Sequence, residues 1–102
     1  MLRSLFESAA AELDAAKAVT APDGEVAWSR GADLFAVLGA GGEAAEFRLD
    51  TAVAAAAVRT PDTAPSSRGS GWVLFRPAPL DGHAVDRATA WFVSAYRRAA
   101  GG

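Results

Sequence analysis

The sequence has no cysteine, one histidine and one lysine in 102 residues. The missing cysteine excludes disulfide frameworks, thiolate zinc sites and cysteine nucleophiles. A single histidine, His83, excludes any site that needs two imidazoles. No apolar run approaches the roughly 18 residues needed to span a bilayer; the run Ala54–Val58 is far too short. Nor does Met1–Lys17 hold the unbroken apolar segment of a secretory signal, because Glu7, Glu12 and Asp14 interrupt it. A cytoplasmic chain without membrane attachment is expected. No internal repeat is visible.

What is present is the composition of an ordinary folded protein, 51% hydrophobic and 22% charged. The length predicts a single domain over 1–102, burying roughly two-thirds of its unfolded surface in one modest core. The net charge of −2 is unevenly placed. Met1–Val58 holds nine acids and four bases, whereas Arg59–Gly102 holds six bases and three acids. The basic second half suits a surface facing an anion.

Hydrophobic spacing predicts the elements. Leu2, Leu5, Phe6, Ala9, Leu13 and Ala16 recur at helical steps, which predicts a helix over Leu2–Val19, closed by the turn Pro22-Asp23-Gly24. Glu25–Arg30, Asp33–Leu38 and Glu43–Leu49 read as strands joined by short glycine turns, hence antiparallel. Asp50 is placed to cap a short alanine-rich helix, Thr51–Val58. A loop rich in Pro, Ser and Gly, Arg59–Gly71, leads to a fourth strand, Trp72–Arg76, ended by Pro77 and Pro79. Asp81 then caps a last helix, with Leu80 and Val85 as a hydrophobic staple. Its apolar stripe is Val85, Ala88, Trp91, Phe92, Ala95 and Ala99. The expected fold is a two-layer α+β domain in the order α-β-β-β-α-β-α, an antiparallel four-stranded sheet with helices on one face.

Few motifs carry chemistry. Gly39-Ala40-Gly41-Gly42-Glu43-Ala44 has the form of a dinucleotide fingerprint, but strand-like alternation follows where a helix is required, so it reads as a glycine hairpin. His83, with Asp86 three residues on, and Asp62 are the only residues worth naming for catalysis. His83 reads better as a surface residue at a helix start. Trp28, Trp72 and Trp91 have base stacking as one use and core packing as the commoner one. In the long loop, Ser66, Ser67 and Arg68 combine hydroxyls, glycine-flanked backbone and charge, a composition suited to anion binding. Arg59, Arg76, Arg97 and Arg98 complete the candidate anion or nucleic-acid site. No metal, cofactor or catalytic residue is expected.

Several segments resemble the small bacterial MmcQ/YjbR-like family. Asp33-Leu34-Phe35-Ala36-Val37-Leu38 looks like the family's second strand. Glu46-Phe47-Arg48-Leu49-Asp50 before an alanine-rich helix is similar to its third strand and middle helix. Gly71-Trp72-Val73 resembles its Trp-Val strand start, and Ala95-Tyr96-Arg97 within Trp91–Ala100 resembles its closing helix. The resemblance spans most of Glu25–Ala100. It implies an antiparallel sheet with helices on one side, akin to secretion-chaperone folds, and a family whose members are labelled DNA-binding. The acidic balance and near absence of lysine depart from the family's pattern. Luciferase-domain proteins also share a Ser-Gly-Trp-Val strand and an Ala-Tyr helix, here Ser70–Val73 and Ala95-Tyr96, without their other signatures.

Strand alternation adds one expectation. Helices on one face leave the other face bare, and Phe35, Val37, Val73 and Phe75 are assigned to that bare face. Such a patch calls for cover by a second copy of the chain or by a bound peptide, unless the last helix or the Arg59–Gly71 loop folds across it. The sequence therefore predicts a non-enzymatic binding module, with weak nucleic acid or another anion as ligand, or alternatively a protein-interaction or chaperone-like homodimer.

Overall fold

The structure, a computed structural model, describes the backbone of residues 2–101 and the side chains of residues 2–99. It is an α+β fold with three helices and one six-stranded antiparallel sheet, in the order α-β-β-β-β-α-β-β-α. The helices are α1 (Leu2–Ala11), α2 (Thr51–Ala57) and α3 (Gly82–Gly101). The strands are β1 (Ala16–Thr20), β2 (Val26–Arg30), β3 (Asp33–Leu38), β4 (Ala45–Arg48), β5 (Thr63–Pro65) and β6 (Trp72–Phe75), lying side by side as β1-β2-β3-β4-β6-β5.

Two strands lie where a helix and a loop are expected. The first helix ends at Ala11, closed by tight bonds from the Glu12 and Leu13 N–H groups to the Ala9 and Ala10 carbonyls. Ala15 then adopts φ 62°, and Ala16–Thr20 pairs along its whole length with β2. Alanine is the strongest helix former, so nothing local marks this break; strand pairing overrides propensity. Near the break, the Tyr96 hydroxyl donates to the Asp14 carbonyl at 2.5 Å and ties it to α3. The second addition, β5, is a short edge strand ended by Pro65, which suits a sheet edge.

The other boundaries follow from local chemistry. Gly24, at φ 99°, closes the turn after β1, where its N–H bonds the Ala21 carbonyl. The stretch Gly39–Gly42 is a hairpin turn: the Gly39 N–H reaches the Ala44 carbonyl and β4 follows. Asp81 caps α3 by accepting the Ala84 N–H at 2.9 Å. Asp50 occupies the corresponding position of α2 but makes no side-chain cap bond.

α1 and α3 lie against one face of the sheet. Phe6 of α1 stacks on Phe92 of α3 with ring centroids 4.9 Å apart, and both rings meet Trp28 edge-on. Phe35 and Tyr96, and Phe75 and Trp91, extend this aromatic core toward its two ends. Burial of these rings is the main cohesive term, since each removes on the order of 150–250 Å² from water. Packed against β5 and β6, α2 adds its buried Ala57 to the same core.

The assignment of Phe35, Val73 and Phe75 to a bare face is corrected. All three belong to the buried core beneath the helices, and only Val37 points to the other side. For Phe35 the cause is a bulge. Trp28 pairs with Ala36 while Ser29 pairs with Leu34, leaving Phe35 as the extra residue. A bulge breaks the period-two alternation, so Phe35 and Ala36 both join the core. For β6, the Phe47–Val73 and Ala45–Phe75 pairings put Val73 and Phe75 in the core row. Trp72 and Leu74 turn outward.

Candidate functional site: the helix-free face of the sheet

Cross-strand register defines what the helix-free face displays. Arg48 stands opposite Trp72, and Glu46 opposite both Leu74 and Val37. Arg76 continues the Trp72–Leu74 row and keeps the ladder going through its N–H to the Asp62 carbonyl at 2.9 Å. At the far side of the face, Lys17 pairs with Ser29 and Val19 with Ala27. Trp28 and Trp91 are core residues, but Trp72 is half-buried on this outer face.

The Arg59–Gly71 loop folds onto this face. Arg68 Nε lies 2.9 Å from one Glu46 carboxylate oxygen, and the Ser66 hydroxyl donates to the other. Arg68 also reaches Glu25 at 3.9 Å, and its guanidinium stands 5.6 Å from the centre of the Trp72 ring. Val37, with no helix over it, is only 2% exposed. Its neighbour in register is Glu46, the residue that holds the loop down.

The remaining candidate residues do not gather around Arg68. Arg97 and Arg98 lie on α3, on the opposite side of the sheet. Arg59 is exposed just beyond α2. Ser67 is exposed in the loop, beside Ser66. Arg76 belongs to the helix-free face, together with Arg48, which sequence reasoning passed over. The signal for Arg48 was present: Glu46 and Arg48 share one row of β4, and charge along one row marks a solvent side. Neither Arg48 nor Arg76 has a carboxylate partner among the described residues.

Two depressions lie along β6, one of them against Trp72. One lies beside Leu74 and Arg76 and is completed by Asp62, Thr63 and Ala64. The other is a groove between α2 and the loop, lined by Ala54, Val58, Pro65, Gly69, Gly71 and Trp72 among others. Both are open to solvent and of a size to take a flat ring or a short polar segment.

The residues named for catalysis sit apart. His83 and Asp86 are exposed in the first turns of α3, and no hydrogen bond joins them. Asp62 adopts φ 64° in the turn before β5, and one carboxylate oxygen lies 3.5 Å from the Ala78 N–H. Among the described residues no group of three His, Cys, Asp or Glu side chains could hold a metal ion. No described helix is long and apolar enough to cross a membrane. Comparison with family models, with curated proteins and with solved structures gives no match to this chain.

Proposed function

We propose that the protein is a non-enzymatic binding module that works through the helix-free face of its sheet and takes single-stranded nucleic acid. The observation that carries this reading is the row around Trp72. An indole is half-exposed on a strand, with Arg48 across from it and Arg76 further along. Both arginines are free of carboxylate partners among the described residues. Unpaired bases stack on such rings, and guanidinium groups take the phosphates between them. The similarity of Gly71-Trp72-Val73 and its surroundings to the DNA-binding-labelled MmcQ/YjbR-like family points the same way.

The test is fluorescence anisotropy with a labelled 12-nucleotide deoxythymidine strand at low salt. Micromolar affinity is expected, reduced by roughly tenfold in Trp72→Ala, since stacking is worth about 1–3 kcal/mol per base. Arg48→Gln should weaken binding and flatten its salt dependence. Absence of binding at about 100 μM protein and low salt would end this reading, given that even non-specific contacts reach that range.

A further inference from the structure

Ser66–Gly71, the loop that joins β5 to β6, is fixed at both ends. The Ser66 N–H donates to the Trp72 carbonyl at 3.0 Å, and the Gly71 carbonyl accepts the Leu49 N–H at 2.8 Å. Between those anchors the segment contains no large apolar side chain, so burial of its own side chains does little to hold it against the sheet. One backbone bond, from the Trp72 N–H to the Gly69 carbonyl at 3.2 Å, ties the end of the loop; the side-chain contacts that hold its tip converge on one carboxylate. Glu46 takes Arg68 through one oxygen and Ser66 through the other, and the Ser66 hydroxyl oxygen accepts the Arg68 N–H at 3.1 Å. The Glu46 side chain is 22% exposed, and Arg68 is 33% exposed. Glu25 adds a second carboxylate at 3.9 Å.

This pairing places Arg68 over Trp72. A phosphate offers a guanidinium the same forked acceptor geometry as a carboxylate. Two carboxylates on the face also repel an incoming polyanion. The geometry points to an autoinhibitory strap: Glu46 and Glu25 hold Arg68 down across Trp72, and a phosphate-bearing ligand takes Arg68 over, lifting the loop tip at Ser67 and Arg68 and freeing the ring. This inference rests on the reading of the Trp72 face as the nucleic-acid surface.

Tryptophan fluorescence reports the strap directly, because Trp28 and Trp91 are buried at 1% and 9% exposure. Acrylamide quenching, with Trp72→Phe as the spectral blank, isolates Trp72. Glu46→Gln and Arg68→Gln should each raise Trp72 quenching about twofold, and Glu46→Gln alone should tighten the 12-nucleotide strand about fivefold, the scale of a partly exposed ion pair. Millimolar tripolyphosphate should raise quenching in the wild type and change nothing further in Arg68→Gln. Equal quenching in wild type and both variants overturns the strap. So does raised quenching in Glu46→Gln without tighter binding of a strand that the wild type binds. If neither protein binds the strand, the nucleic-acid reading fails and tripolyphosphate decides: a rise confined to proteins with Arg68 keeps the strap, and no rise removes it.

Discussion

At position 71 a side chain has nowhere to go. A Cβ there would stand 2.7 Å from the Leu49 carbonyl oxygen, and the backbone already sits at φ 83°. That oxygen is fixed backbone just past the end of β4, and the Leu49 N–H, donating to the Gly71 carbonyl at 2.8 Å, holds the two segments together. Gly71→Ala combines a positive-φ penalty with a clash, and should lower stability by about 2–4 kcal/mol in a denaturant titration. Gly31 makes the control: its φ is 61°, but nothing lies within 4 Å of a Cβ there. Gly31→Ala should therefore cost only about 1 kcal/mol. At the other extreme, His83 is exposed and hydrogen-bonds no described side chain. His83→Ala should leave stability within about 0.5 kcal/mol and leave oligonucleotide binding unchanged. Loss of function in that folded variant would reopen the case for catalysis.

Among the elements, the two aspartate caps separate what a sequence can show from what only packing decides. Asp81 and Asp50 look alike in the chain, each just before a helix. Only Asp81 bonds a backbone N–H in the first turn. Asp81→Ala should cost about 1 kcal/mol, and Asp50→Ala a few tenths, by the same titration. A reversed order would show that Asp50 makes its cap bond in solution. β3 and β6 were legible as short apolar runs, β4 by its alternation and α3 by its helical spacing. β1 was not, because Leu13 and Ala16 continue the helical spacing past a break that Ala15 makes without Gly or Pro. β5 was hidden by its brevity and its proline. The bulge at Phe35 was invisible for a different reason: both alternations of Asp33–Leu38 are apolar, so no polar residue records which way each side chain turns. In β6 the clue existed, since Arg76 shares the row of Trp72 and Leu74 and marks it as the solvent row.

For the whole molecule, these placements remove the reason for a dimer through the sheet face. Phe35, Val73 and Phe75 are inside, and the strap covers part of what remains. Sedimentation at micromolar concentration should give a monomer. The exposed edge offers the alternative: Val19 is 69% exposed on β1, the outermost strand. If a dimer forms and Val19→Lys dissolves it, association runs through that edge and the monomer expectation fails.

Charge placement then sets what the molecule can do with duplex DNA. The arginines of the basic half do not form one footprint. Arg97 and Arg98 stand on the helix side, and Arg68 is paired with Glu46 and Glu25. Arg87 of α3 lies over Phe75, and in the acidic half Arg30 is turned to Tyr96. The helix-free face keeps Arg48, Arg76 and the more distant Lys17, on a chain whose net charge is −2. Two or three phosphates neutralised on a duplex give a log–log salt slope of only about −2 to −3. Affinity for random duplex at about 150 mM salt should therefore be micromolar or weaker, the ordinary non-specific range. Arg97→Gln together with Arg98→Gln should leave the single-strand affinity unchanged, because those side chains face away from Trp72. A nanomolar duplex titration at that salt, or a steep slope that the Arg97 and Arg98 substitutions flatten, would move the binding surface from the sheet to the helical layer.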